Sequence, residues 1–245
     1  MPFKRNWDAE CPRVWEQWTV DGKKWVLQDL DPRDDAEALE VLLDTLTADE
    51  ALCATSRVQE DEKSMTSMRK FWEECLAQRM SLALYTWEGD KRTLAALNVC
   101  VVASVGETVP DIESNQQLFP INPEKIEGEN WKNVFAALEY IEAKKDPHKY
   151  LGLDTLLHAF GLVVKREYRG SKLGGRLLAA REPLCKFFGV KGTTTVFTGP
   201  ASQKLATKCG FETIAEVSMK ELNENGLKYP PDENRCIKLM VKRFE

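Results

Sequence analysis

The chain has 245 residues, 43% of them hydrophobic and 30% charged, enough apolar material for a packed core and too much for a mostly disordered chain. A net charge of −5 without a Lys/Arg stripe leaves no footprint for nucleic acid, and no apolar run approaches the roughly 18 residues of a membrane helix. The seven cysteines are scattered and never spaced C-x-x-C, so neither a disulfide scaffold nor a metal site is expected, and without a leader-like opening the expected location is cytoplasmic.

In chain order, residues 1–24 hold Trp7, Trp15 and Trp18 among charges without a sustained period and read as an arm packed on the rest. A first strand is expected over 25–30. Pro32 and Asp34 then open a helix whose Ala36, Leu39, Leu42, Leu43 and Leu46 share a face, ending near Thr47. Met65, Met68, Phe71, Trp72, Cys75 and Leu76 recur at spacings of three and four, the mark of a second amphipathic helix. Strands over 81–87 and 93–103 flank Glu88-Gly89-Asp90-Lys91 as an antiparallel hairpin. The stretch 106–130, with Pro110, Pro120, Pro123 and Gly128, reads as a long irregular excursion. A helix over 131–143 precedes the Asp146-Pro147-His148 break. Later come a β-like run over 193–198, a short helix over 202–208, and strands over 212–219 and 235–242.

The most informative stretch is 161–178, where an apolar run ending in Val163-Val164 passes into Arg169-Gly170-Ser171-Lys172-Leu173-Gly174 and a helical pattern. Leu173, Leu177, Ala180, Leu184 and Phe188 give that helix a continuous apolar face, and Pro183 is expected to kink or weaken it near Ala179. Strand, turn and helix in this order suit an anion, because the first amides of a helix lack intrahelical partners and its dipole favours negative charge there. His148 and His158 have no carboxylate or metal partner in sight and read as structural.

These residues resemble motif A of the GNAT superfamily of acetyl-CoA-dependent N-acetyltransferases, with Lys172 where the central Gly is expected. Thr198-Gly199-Pro200-Ala201-Ser202 and Leu205-Ala206-Thr207-Lys208-Cys209-Gly210-Phe211 are similar to the end of motif B, with Cys209 in place of Leu. Asp29-Leu30-Asp31-Pro32, followed by Asp49-Glu50-Ala51-Leu52, resembles the insect arylalkylamine N-acetyltransferases, which commonly read Asp-Glu-Pro-Leu at the second site. The likeness spans roughly 25–244.

The resemblance implies an α/β GNAT (acyl-CoA N-acyltransferase) fold, a mixed central sheet of about seven strands flanked by helices and splayed between strands 4 and 5. It also implies one GNAT domain over 25–245, preceded by the arm. Acetyl-CoA would be the cosubstrate, its pantetheine along Leu162, Val163 and Val164 and its pyrophosphate on Arg169, Gly170, Ser171, Lys172, Leu173 and Gly174, the Lys172 ammonium lending a contact. Glu50 matches the general base, though Ala51 leaves its turn less rigid than Pro would. Thr198 and Ser202 match two hydroxyls that assist the departing thiolate, and Ser202 is equally suited to cap the helix it opens. The implied acceptor is the primary amine of a small arylalkylamine such as dopamine, tyramine or tryptamine, taken by a monomer without metal. Polyamines or agmatine-like amines are the alternative acceptors, and a CoA-binding module without turnover is the alternative class.

Overall fold

The structure, a computed structural model, describes residue 3 and residues 5–106 and 123–245; most of the excursion expected over 106–130 lies outside the described residues. From the N-terminus, β1 (Val14–Val20) and β2 (Lys23–Asp29) form a hairpin and a helical stretch follows. That stretch comprises α1 (Asp35–Val41), a π-helical turn (Leu42–Leu46) and α2 (Thr47–Asp49), and it stops at Glu50 before α3 (Ala51–Thr55). Then come α4 (Glu62–Ala77), β3 (Leu82–Glu88), β4 (Lys91–Ser104), α5 (Glu129–Lys144), α6 (Pro147–Leu151) and β5 (Thr155–Val164). The chain closes with α7 (Leu173–Phe187), β6 (Gly192–Phe197), α8 (Pro200–Lys208), β7 (Glu212–Ser218), α9 (Met219–Glu224) and β8 (Cys236–Arg243). α7 continues through Pro183 to Phe187.

The strands form one sheet in the order β1-β2-β3-β4-β5-β6-β8-β7, antiparallel everywhere except between β5 and β6. It has eight strands rather than seven because the arm supplies β1. A break in period-two alternation hides that strand: the register slips between Val14 and Glu16, so Trp15 is an extra residue and Trp15 and Trp18, three apart, both pack against the core. The splay expected between strands 4 and 5 therefore falls between β5 and β6.

The arm is held by Asp29, whose buried carboxylate accepts from both Arg5 guanidinium nitrogens (2.8 and 2.5 Å), the Arg13 amide (2.7 Å) and Trp15 Nε1 (2.9 Å). Such a pair is stable in the interior because the carboxylate's remaining hydrogen-bonding capacity is met by the Arg13 amide and the Trp15 indole. The larger core lies on the face covered by α1, α4 and α5, where Leu42, Met68, Phe71, Trp72, Val134 and Ile141 are buried. The opposite face is covered by α7, whose Leu173, Leu177, Ala180 and Leu184 are the apolar stripe read from the sequence.

Candidate functional site

β5 and β6 are paired only at Leu157–Thr193 and His158–Thr194, after which they part. The strand that diverges is also bulged: Asn98 faces Leu162 but Cys100 faces Ala159, so Val99 stands opposite both Phe160 and Gly161. Gly161 has φ +137°, and a Cβ on it would lie 3.0 Å from Leu46 Cδ2 and 3.3 Å from Leu42 Cδ2. Two departures from regular structure thus meet, the π-turn of the first helical stretch and the bulge of β5. Trp72 Nε1 donates to the Phe160 carbonyl (2.9 Å) and Asn98 Nδ2 to that of Gly161 (2.8 Å), which pins the distorted segment.

Beyond the bulge the Lys165 amide donates to Ala95 O, and hydrogen-bonded pairs alternate along an antiparallel ladder. Val163 accordingly turns its peptide groups to β4 and buries its side chain, while the peptide groups of Leu162 and Val164 face the gap left by β6. Beneath that gap, Arg181 reaches from α7 to Asn98 Oδ1 and Thr195 Oγ1, both at 2.8 Å, bridging β4 and β6.

A cavity of about 860 Å³ opens along the gap. Eleven of the twelve candidate residues line it, Ser171 being the exception. Glu50 and Thr198, 148 positions apart, are directly joined: Thr198 Oγ1 donates to Glu50 Oε1. Glu50 breaks the helix with extended backbone (φ −75°, ψ 134°), and its carboxylate caps α3 by accepting from the Leu52 amide (2.9 Å) and the Cys53 amide (2.8 Å). Ala51 is then the first helical residue, where Pro is tolerated because its N–H has no intrahelical duty. The cap therefore fixes the aim of Glu50 without a Pro at 51. Ser202 lies in the first turn of α8 and donates to Gly199 O (2.9 Å); it is not the cap, which is Gly199.

In the turn before α7, Gly170 (φ +85°) and Lys172 (φ +59°) are both left-handed, and no side chain caps the helix. Space around Gly170 is open, whereas a Cβ at Gly174 would meet Leu205 Cδ2 at 3.2 Å and Leu162 Cδ2 at 3.5 Å. Gly174 thus serves the packing of α8 on α7, and Gly170 is the glycine that leaves room beside the turn. Leu173 starts the helix with its side chain in the core. Arg169 donates to Val164 O (3.1 Å) and to Asp49 Oδ2 (2.5 Å), and Arg166 donates to the same carboxylate at 2.7 and 3.2 Å. Those hydrogen bonds from Arg166 and then Arg169 pull the Asp49 pKa down to about 2. Asp49 drew no role from the sequence beyond its place in the Asp-Glu dipeptide, yet it ties the segment before Glu50 to the turn before α7.

Sequence reasoning left Phe71 and Trp72 as either pocket or core residues and missed the rest of the inner wall of the cavity. Trp131, Leu138 and Glu142 of α5 line it with Phe71 and Trp72 of α4, His158 and Phe160 of β5, and Thr194 of β6. Burial pushes the His158 pKa down to about 3, with the His148 ring 5.6 Å away adding to the effect, and burial raises Glu142 well above the usual carboxylate range. Among the described residues no group of His, Cys, Asp and Glu could hold a metal ion, and no helix is long and apolar enough to cross a membrane.

No family model matches the sequence, and no curated protein does. Solved structures do. The protein designated arylalkylamine N-acetyltransferase 7 of the yellow fever mosquito Aedes aegypti superposes with a TM-score of 0.84, covering 99% of each chain at 25% identity. The chain has the GNAT fold in its insect arylalkylamine N-acetyltransferase-like form. Arylalkylamine N-acetyltransferase 2 of Aedes aegypti shares the fold at 22% identity (TM-score 0.74, 90% of this chain and 99% of that one). So does the polyamine N-acetyltransferase of Drosophila melanogaster that forms N-acetylagmatine, at 17% identity (TM-score 0.68, 90% and 100%). The one parallel pair among the described residues splays where the GNAT resemblance expected it, one strand later in the count, and its first strand is bulged as well.

Proposed function

We propose that the protein transfers acetyl from acetyl-CoA to the primary amine of a small arylalkylamine, by direct attack within a ternary complex. The observation that carries this reading is the Thr198–Glu50 hydrogen bond, which sets a carboxylate and a hydroxyl side by side where β6 ends at the gap. The N-acetyltransferases among its structural neighbours support the reaction class, and the aromatic side chains of the cavity wall suit an arylalkyl body.

The residues before α7 fit a pyrophosphate. The helix start has no side-chain cap, Gly170 leaves open space, and Arg169 and Lys172 bring positive charge. The peptide groups of Leu162 and Val164 face the gap, as an extended amide-bearing arm would require. Acetyl-CoA supplies an acetyl thioester there. An alkylamine with a pKa near ~10 arrives protonated at neutral pH, so Glu50 accepts a proton from its ammonium before the nitrogen can form a bond to the acyl carbon. Backbone amides at the mouth of the splay stabilise the oxyanion. When the C–S bond breaks, the thiolate takes a proton from the Thr198 hydroxyl, which is replenished by the proton held on Glu50 along their shared hydrogen bond; Glu50, ionised again, takes the second proton from the nitrogen of the new amide and releases it to solvent. Ser202 is a second donor once it turns from Gly199 O.

The test couples titration with acetyl-CoA to thiol release in the presence of tyramine, tryptamine and agmatine. Release with an aromatic amine, reduced ~100-fold or more in Glu50→Gln, is expected. Coenzyme binding without release for any amine refutes the enzyme, and an unchanged kcat/KM and pH profile in Glu50→Gln refutes the base.

A further inference from the structure

Seven buried side-chain polar atoms have no hydrogen-bond partner among the described residues, and five belong to residues lining the same cavity: Trp131, Glu142, His158, Arg181 and Thr194. Buried polar groups are nearly always paired, so such a concentration marks groups waiting for a ligand. Arg181 belongs to the α7 side, where it bridges Asn98 and Thr195. The other four lie on the α5 side. His158 and Thr194 are neighbours across the β5–β6 pair and share a face of the sheet, and Val196, two residues beyond Thr194, packs in the core beneath α4 and α5. On α5, Trp131, Val134, Leu138 and Glu142 fall along one stripe and all line the cavity.

Glu142 is the most telling of these. Its side chain is 3% exposed, its Oε2 has no partner, and among the described residues it forms no ion pair. Glu139 and Asp146 stand close enough to add to the electrostatic cost of ionising it. An isolated buried carboxyl costs stability, which a ligand supplying a donor or a positive charge recovers. Thr194 precedes Thr198 by four residues, about 13 Å along a strand. These groups are therefore set back from Glu50 and Thr198 by roughly the length of a small amine.

We infer that Glu142, with His158 and Thr194, forms a second recognition point at the buried end of the acceptor cavity, which selects amines carrying a hydrogen-bond-donating group remote from the nitrogen that is acetylated. This rests on the acetyl-transfer reading and narrows its substrate class. The donor is either a phenolic hydroxyl, which donates to one of Glu142 and His158 and accepts from the other, or a second cation, which donates to both; plain hydrocarbon satisfies neither.

The experiment uses two matched pairs, tyramine with phenethylamine and agmatine with pentylamine. It measures kcat/KM by thiol release and Kd by calorimetry on the protein saturated with CoA. The wild type is expected to favour the donor-bearing member of at least one pair by about tenfold or more. Glu142→Leu should lower the value for that member about tenfold more than for its partner. Glu142→Gln, which keeps hydrogen bonding but not charge, should retain discrimination in the tyramine pair and lose it in the agmatine pair. His158→Phe gives a second route to the same loss should the Glu142 variants fail to fold. Equal handling of both members of both pairs by the wild type overturns the inference, as does an equal loss on both members in Glu142→Leu. If no amine releases thiol, the acetyl-transfer reading falls, and the Kd ratios still decide this one.

Discussion

Gly161 offers the sharpest test of how the site is built. Replacing it by Ala places a methyl 3.0 Å from Leu46 Cδ2, 3.3 Å from Leu42 Cδ2 and 3.9 Å from Trp72 Nε1, on a backbone with φ +137°. The backbone strain costs ~1–3 kcal/mol. Two leucine methyls must also yield, that of Leu42 inside the packed core and that of Leu46 at the cavity wall, adding ~1 kcal/mol. A total of ~2–4 kcal/mol in a chain of this size lowers Tm by about 5–15 °C. Gly170→Ala is the control, since φ there is +85° with nothing within 4 Å, so it bears strain of ~1–2 kcal/mol without the contact. Thermal unfolding of the two variants, followed by circular dichroism, should place Gly161→Ala clearly below Gly170→Ala. A larger loss of kcat/KM than of coenzyme affinity should accompany it, because the bulge lies beside the acyl site. If Gly161→Ala melts no lower than Gly170→Ala, the close approach of the π-turn to the bulge is refuted.

Lys172→Gly should act in two opposite ways. Relieving a left-handed Lys, net of the greater freedom of Gly when unfolded, stabilises by ~0.5–1 kcal/mol and raises Tm by ~1–4 °C. Loss of the ammonium should weaken acetyl-CoA binding about tenfold by calorimetry, and unchanged or tighter binding would rule out a phosphate contact. His158 makes the fold sensitive to acid. Its folded pKa is held near 3 while the unfolded ring titrates near 6.5, so protons favour the unfolded chain and stability is lost as pH falls from about 6.5 toward 3, by up to ~1.4 kcal/mol per unit. Glu142, raised by burial, acts with the opposite sign, so the quantity to follow is the difference between wild type and His158→Gln, which should narrow on acidification. A difference independent of pH from 7 to 4 contradicts a neutral buried imidazole.

Much of this architecture was legible because it follows from local pattern. The stripe Leu173, Leu177, Ala180 and Leu184 marked α7, and the run of apolar residues marked β4, whose residues 94–103 are all buried. Glu50 and Thr198 were singled out through their motifs, and only the fold could bring them to hydrogen-bonding distance. Other features depended on tertiary closure. Trp15 hides a strand because a bulge breaks its alternation, and Glu142 looks like any surface acid until α5 docks and removes it from water. The capping role of Glu50 escaped notice because the helix it begins, Ala51–Thr55, is too short to show a period.

Each outermost strand of the sheet is itself irregular. β1 slips register between Val14 and Glu16, and β7 does so between Thr213 and Ala215. A flat, evenly spaced edge is a template on which a foreign strand can add; a kinked one offers its amides and carbonyls at the wrong intervals. The same insertion that conceals the first strand from pattern reading therefore also discourages edge-to-edge aggregation, and straightening it would trade a tidier ladder for a stickier molecule.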